Sequence, residues 1–515
     1  MALLGNLIKR FLDVGEYLEQ RPADPVQMQR QTLQRLLARA QHTSFGQYYD
    51  FRDILKSPRM VDVFRSKVPL FDYDTMYERW WNMSLNGVEN VSWQGRVQYF
   101  ALSSGTSGAP SKHIPVTEEM TRAMQRGAMK MFFALANFEV SPELFTKSML
   151  MLGGSSELEQ QGGYFQGDLS GINANKVPFW LRPYYKPGAE IAAINNWEKR
   201  INKIARLAPE WDIGFLVGIP SWLQLMMERI LEYHQLDNIH QIWPNLQVCV
   251  HGGIAFEPLK KGFEKLLAHP LTYMDTYLAS EGFIAYQDRP GTRGMRLLLQ
   301  NGIFLEFIPF NTDNFDEAGH LTGNPPTCTI AEAEEGVDYA LAISTCAGAW
   351  RYLIGDTVRF TDKSRWEIII TGRTKHFLSI CGEHLSVDNM NQGIQAVEEQ
   401  LGVNIREFTV GPVEEGRSFA HQWYIGCEPL ADSNAVCDIL DQRLKEVNDD
   451  YHTERASLLG IRVKTIPTEI FYRWQHAKGK MGGQNKFPRV MRGAQFREWE
   501  GFVEQAMESS KPVGR

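Results

Sequence analysis

Six cysteines in 515 residues, none in a C-x-x-C pair, leave this chain without a sequence basis for a disulfide framework or a zinc site. Cys249, Cys328, Cys346, Cys381, Cys427 and Cys437 are widely spaced. They read as reduced thiols, the pattern expected of a cytoplasmic protein. A run of about eighteen apolar residues is also missing, so no segment is expected to span a bilayer and no membrane partner is expected. The basic surplus of a nucleic-acid binder is absent: 54 Lys and Arg stand against 61 Asp and Glu, a net charge of −7. There is no internal repeat and no low-complexity tract. The G-x-S-x-G element of the α/β-hydrolases is missing, and neither His251 nor His421 has a sequence neighbour that would complete a triad. Both read as core or rim histidines, and the thirteen tryptophans read as core.

The apolar content, 43%, is ample for a native core, and the length predicts two unequal domains. The start, MALLGNLIKRFLDVGEYLEQ, is amphipathic but has neither the continuous apolar stretch nor the cleavage site of a signal peptide. It predicts a helix packed on its own domain, with a membrane or partner contact as the alternative. From Val97 onward, strand-like runs (SMLMLGG, DIGFLVG, LQVCVHGG, LTYMDTY) alternate with helical ones (VTEEMTRAMQRGAMKMFFAL, PSWLQLMMERILEYH, EPLKKGFEKLLAH). Thr117 is the predicted N-cap of the first. That alternation predicts an α/β sheet with ligand sites at strand ends. The later third turns strand-rich, from MRLLLQNGIFLEFIPF to Thr371, and then gives helix, strand, strand, helix, strand, a compact α+β order. The boundary is placed near Thr371–Lys375, and AKGKMGGQNKFPRV is expected to be a mobile loop.

Four stretches carry candidate chemistry. SSGTSGAPSK supplies the hydroxyls of Ser103, Ser104, Thr106 and Ser107, backbone access at Gly105 and Gly108, and the charge of Lys112, enough donors for a polyphosphate. It is no P-loop: counted from Gly105 the second glycine falls on Pro110, and from Gly108 it falls on His113. A plain Ser/Gly surface loop is the competing reading. In YLASEG, Glu281 ends a strand-like run and could hold Mg²⁺ against phosphates, or pair with a nearby base at the rim. In WRYLIGDTV, Asp356 could accept both hydroxyls of a ribose, although Gly-Asp is also a common turn. In TGRTKHFLSICGEHLS, Arg373 and Lys375 could follow a nucleotide or simply cap a strand.

Singly these are soft signals, but their order is specific. SSGTSGAPSK, HGG, YLASEG, WRYLIGDTV and GRTKHFLSICGEHLS follow the order of the adenylate-forming (ANL) superfamily, and within it the chain resembles the auxin-responsive acyl acid–amido synthetase family. The likeness runs from about residue 30 to 495 and includes VGIPSW, IFLEFIPF and NKFPR. Trp350 stands where the family pattern has Tyr, followed by the retained Arg351-Tyr352. The resemblance implies an α/β fold with mixed sheets: a large N-terminal ATP- and acyl-binding domain (1–370) and a small mobile α+β C-terminal domain (371–515). It implies a ligase that adenylates a small carboxylic acid with ATP and Mg²⁺ and passes the acyl group to an amino acid, working as a monomer. Nucleotide contacts are implied for Ser103, Ser104, Gly105, Thr106, Ser107, Gly108, Lys112, Gly252, Gly253, Tyr277, Ser280, Glu281, Tyr352, Asp356 and Arg373. Glu281 is implied for the metal and Lys486 for catalysis. An acyl-CoA ligase using the same adenylate, and a nucleotide-binding protein without turnover, are the alternatives.

Overall fold

The computed structural model describes residues 2–19, 24–103, 112–177, 181–316, 319–374, 378, 385–415, 418–428, 433–448, 451–452, 455, 458–478 and 487–509. Its largest element is a mixed sheet of eleven strands. In order these are Ile303–Pro309, Asp338–Thr345, Tyr352–Asp362, Glu367–Arg373, Met295–Leu297, Gly282–Tyr286, Thr272–Ala279, Val248–Gly252, Ile213–Gly218, Ser148–Leu152 and Tyr185–Lys186. The strands from Thr272–Ala279 to Tyr185–Lys186 run parallel, and those from Gly282–Tyr286 to Ile303–Pro309 run antiparallel. The direction reverses at one turn, Ser280–Glu281, between Thr272–Ala279 and Gly282–Tyr286. A second, four-stranded sheet pairs Tyr99–Ser103 with Lys112–Val116 and with Tyr164–Gly167.

The predicted helices are present. Thr117 caps Glu118–Ala134, its hydroxyl accepting from the Met120 N–H at 3.1 Å. Pro220–His234 and Glu257–Glu264 follow their strands, the latter shorter than the pattern EPLKKGFEKLLAH suggests. Asp24 caps Pro25–Ala40, with Pro25 at the first helical position, where a missing N–H costs nothing. That helix buries Gln29, Leu33, Leu36 and Leu37, a period of three to four that sets one face on the sheet. Gln29 donates to the carbonyls of Leu299 and Ile303 and accepts from the Leu305 N–H at 2.7 Å. The first helix, Ala2–Glu19, packs on Glu118–Ala134: Phe11 meets Phe133 edge-on at 5.6 Å, and a Cβ on Gly15 would lie 2.7 Å from that ring. Leu7, Phe11, Val14 and Tyr17 face outward. No described helix is long and apolar enough to cross a membrane.

All three residues of the WRY triplet are buried. Trp350 is fully buried among Phe45, Phe51, Phe64 and Trp93, and its indole N–H donates to the Ser92 carbonyl at 2.9 Å. Arg351 has φ 43°, a left-handed backbone that a branched-free polar side chain adopts only when its surroundings hold it there. They do: its N–H donates to Ser344 Oγ, and its guanidinium contacts the buried Glu306 carboxylate at 2.9 Å, the Arg65 and Val68 carbonyls and Thr327 Oγ1.

The strand Glu367–Arg373 is part of the large sheet, and a separate core begins with Leu378 and Leu385. It is built on three strands, with Glu407–Glu415 antiparallel and Leu458–Ile466 parallel to Ser418–Gly426. Consecutive residues of the central strand serve opposite faces. Trp423 packs with helices Val387–Leu401 and Ser433–Val447, and Tyr424 with Thr468–Ala477 and Gly493–Ser509. In this unit Glu398 is buried, and burial pushes its carboxyl up to about 7 despite a 2.7 Å hydrogen bond from the Ile405 N–H. The described cysteines are all free thiols.

Two predictions follow from these buried charges. Arg351→Met strands Glu306 in the core and is expected to cost about 3–5 kcal/mol in denaturant unfolding. Replacing Glu306 by Leu as well is expected to recover most of that loss. Glu398 binds its proton more tightly in the folded chain, so its ionisation destabilises the fold increasingly as pH rises from 4.5 to about 7, and fully above that. Glu398→Gln is expected to flatten stability over this window and to add on the order of 2 kcal/mol at pH 8, read by urea titration at several pH values.

Candidate active site

The parallel strands end on one side of the sheet, and their ends open into a cleft of about 2560 Å³. Its walls include Met151–Gly154, Val217–Ile219, Val250–Phe256 and Thr272–Glu281 apart from Met274. The antiparallel half adds Leu353–Asp356 and Ile369–Thr374, and the C-terminal unit adds Trp474, Gln475, Lys478 and Phe487–Arg489. Helix Glu118–Ala134 gives this cleft no lining residue. Asn137–Glu139, just beyond its end, do instead.

The cleft's most ordered polar cluster centres on Asp356. In the antiparallel pairing Asp356 lies opposite Arg373, and Arg373 Nε sits 3.0 Å from Asp356 Oδ1. From the last parallel strand, the Tyr277 hydroxyl donates to Asp356 Oδ2 at 2.7 Å. Both Asp356 oxygens are therefore fixed, by a cation and by a phenol. The Asp356 charge raises the Arg373 guanidinium, and burial followed by that same charge lifts the Tyr277 phenol well above its ordinary value, so it remains a donor. Gly355, at φ 89°, turns the chain so that its carbonyl accepts from the Thr374 N–H at 2.9 Å.

Glu281 occupies the reversal turn itself. Burial pushes its carboxyl up and the nearby Asp356 charge adds to this, while Lys112 and Arg373 act in the opposite direction. Tyr352 is buried beside it and faces the carboxylate without forming a well-aligned hydrogen bond; burial and the Glu281 charge keep that phenol protonated. Ser280 is buried in the same turn. Gly252 and Gly253 end the neighbouring strand: a Cβ on Gly252 would fall 2.5 Å from the Thr276 carbonyl, and Gly253 has φ 85°. Lys112 lines the cleft with its ammonium 5.2 Å from the Tyr73 ring centre, and it pairs in register with Ser103.

Lys112, Gly252, Gly253, Tyr277, Ser280, Glu281, Asp356 and Arg373 thus line a single cleft, with Tyr352 packed behind Glu281. Ser104, Gly105, Thr106, Ser107, Gly108 and Lys486 lie outside the described residues, as does most of the segment expected to be a mobile loop; Ser103 is described only as the end of its strand. Among the described residues no group of three His, Cys, Asp or Glu side chains could hold a metal by itself. His251, read from the sequence as a core or rim histidine, is buried at the cleft. It lies on the cleft wall, its ring against Phe256 and Nδ1 3.5 Å from Asp275 Oδ1, because His251 and Asp275 face each other on adjacent parallel strands. The two are far apart in the chain, so only strand register could have revealed the pair.

Known proteins fit this architecture. The chain matches, in order, the GH3 family N-terminal domain over residues 15–202, the GH3 family central domain over 296–366 and the GH3 family C-terminal domain over 388–495. Among relatives, the indole-3-acetic acid-amido synthetase GH3.2 of Arabidopsis thaliana is 23% identical over 420 residues, covering 67% of this chain and 73% of that one. A GH3 domain-containing protein of Homo sapiens is 26% identical over 231 residues, 42% of each chain. Among solved structures, the GH3.15 acyl acid amido synthetase superimposes with a TM-score of 0.77 at 15% identity over 96% of both chains. A 2-hydroxyisobutyryl-CoA ligase in its postadenylation state, holding 2-HIB-AMP, superimposes with a TM-score of 0.60 at 13% identity, over 93% of this chain and 91% of that one. The two likenesses give the fold, that of the adenylate-forming enzymes. With three consecutive domain matches across its length, the chain belongs to the GH3 family.

Proposed function

We propose that this chain is an acyl acid–amido synthetase that activates a small carboxylic acid with ATP as an acyl-adenylate and transfers the acyl group to the amine of an amino acid. The observation that carries the reading is the Asp356 carboxylate, held by Tyr277 and Arg373 at the strand ends with buried Glu281 beside it. A carboxylate fixed at both oxygens can still accept the two hydroxyls of a ribose through its remaining lone pairs. Its rigidity spares the ordering cost of binding. Gly252 and Gly253 keep the neighbouring strand end free of side chains, so a nucleotide can lie against the backbone there.

In the first step the acid's carboxylate oxygen attacks the α-phosphorus of ATP and the bond to the β-phosphate oxygen breaks, releasing pyrophosphate. Two anions must meet, so cations and N–H donors have to face the phosphates. Lys112, the hydroxyls and backbone amides of Ser103–Gly108, and Lys486 are the groups assigned to that task. Arg373 stays with the ribose-holding Asp356. The donor set suits Mg²⁺: a hard cation takes oxygen ligands, and the buried carboxyl of Glu281 offers one, leaving phosphates and water for the rest. When bound, Mg²⁺ would neutralise phosphate charge. In the second step the amine attacks the acyl carbon, AMP leaves and an amide forms. The cleft's part there is to position the amine and exclude water, with Trp474 and Phe487 of the C-terminal unit, taken as the mobile one, covering it.

Incubating the protein with ATP, Mg²⁺, mixed carboxylic acids and all twenty amino acids, and searching by mass spectrometry for amide masses, tests the reading. Acid-dependent pyrophosphate release with an amide product supports it. Discharge of the adenylate by CoA alone would make the chain a thioester-forming ligase, and ATP binding without turnover would make it a nucleotide-binding protein. Lys486→Ala is expected to slow pyrophosphate release about a hundredfold, as loss of one donor to a developing oxyanion does. Asp356→Ala is expected to raise the KM for ATP about tenfold or more and leave that for the acid unchanged, read from initial rates.

A further inference from the structure

The C-terminal unit reaches the cleft through Phe487–Arg489, the residues that directly follow Lys486, and these residues are fixed from both sides. Val490 bridges to Val410: the Val410 N–H donates to the Arg489 carbonyl at 2.9 Å and the Met491 N–H to the Val410 carbonyl at 2.9 Å. Arg489 Nη1 is 2.5 Å from the buried carboxylate of Glu407 and 3.0 Å from the Phe408 carbonyl. Hence the segment beside Lys486 goes wherever the strand Glu407–Glu415 goes. The residue immediately before that strand is Arg406, and its partner belongs to the large unit. Arg406 Nη1 lies 2.9 Å from Glu228 Oε1, on helix Pro220–His234. Gln224 donates to the same Glu228 oxygen at 3.0 Å and so holds the acceptor in place.

The surfaces around this pair are closely matched. A Cβ on Gly262 would lie 3.0 Å from the Asn404 side chain, so helix Glu257–Glu264 approaches residues 403–404 closely. Lys261 Nζ is 3.5 Å from the Val403 carbonyl. At the other end of the same face, Arg293 spans the two units, with Glu257 at 3.3 Å and Asp388, in the first turn of Val387–Leu401, at 3.2 Å. Arg406 and Glu228 are about two-thirds buried where they meet, which spares the contact much of the solvent screening that weakens surface pairs.

We propose that Glu228 and Arg406 are positioning residues for adenylation: their contact sets the register of the C-terminal unit on the large one and, through Glu407, Arg489 and Val490, delivers the segment adjoining Lys486 to the cleft. The inference rests on the two-step reading above and adds to it a contact specific to the first step. Neither residue touches the reacting groups, and transfer from a finished adenylate does not need them.

Arg406→Glu, Glu228→Arg and the charge-exchanged double variant test this, with Arg406→Gln as a milder variant should a reversal disturb folding. Each reversal is expected to slow acid-dependent pyrophosphate release about tenfold with the KM for the acid unchanged. Amide formation from the synthetic adenylate of an acid active with the parent protein is expected to stay within about twofold. The double variant is expected to regain most of the adenylation rate, as a restored pair should. Unchanged pyrophosphate release in both reversals, or an equal loss in both half-reactions with no recovery in the double, overturns the proposal. If the parent protein releases no pyrophosphate with any acid, the enzymatic reading fails, and small-angle X-ray scattering then decides the contact. More extended single variants with a restored double uphold it, and identical profiles remove it.

Discussion

Asp356, on the antiparallel strand Tyr352–Asp362, is the residue through which the two halves of the large sheet are tied together at the cleft. The parallel half of the large sheet ends with Thr272–Ala279, and every strand of that sheet beyond the Ser280–Glu281 turn pairs antiparallel. Tyr277, from the parallel side, and Arg373, from the antiparallel side, both close on Asp356. The same three side chains therefore brace the junction and form the polar centre of the cleft. Open α/β sheets bind ligands where strand arrangement changes, because the loops there diverge and leave a crevice. Here the change is one of direction, and Glu281 stands in the reversal turn itself.

Charge is spent differently around that junction and below it. Arg351 and Glu306 form a closed, dry pair whose hydrogen-bonding groups are occupied, which makes it a brace for the left-handed turn after Trp350. Glu281 and Arg373 border open space, and burial raises the Glu281 carboxyl there. The first arrangement resists change; the second is suited to receive a charged ligand. WRYLIGDTV holds both within nine residues: Trp350 and Arg351 serve the core, Tyr352 backs Glu281, and Asp356 reaches the cleft. Trp350, the departure from the family pattern, is fully buried and lines no part of the cleft.

Much of this was legible in the sequence, because strands with apolar runs and glycine ends announce themselves by period and punctuation. SMLML, IGFLVG, VCVHG and TYMDTYLA, within the four runs expected to be strands, all form strands of the large sheet, and the α+β order after Leu385 is the one expected. Less legible were Glu159–Gln161 and Tyr164–Gly167, short polar strands whose pairing depends on the distant Tyr99–Ser103. Glu281 stood out at the end of an apolar run and Asp356 through its turn glycine, and the family resemblance pointed to Tyr277, but the hydrogen bond from Tyr277 to Asp356, 79 residues further on, was not legible. Nor was the pairing of His251 with Asp275. Local composition names candidates; only register decides which of them meet.

The helix Pro25–Ala40 carries a further consequence. Ile303–Pro309 is the terminal strand of an eleven-stranded sheet, and a bare terminal strand invites another chain to add itself. Outward backbone groups at three of its residues are already taken: Gln29 occupies the Ile303 carbonyl and the Leu305 N–H, and Cys328 exchanges both of its backbone hydrogen bonds with Phe307. One glutamine amide, shaped like a peptide unit, thus stands in for the strand that would come next, and growth of the sheet by self-association is blocked on that side.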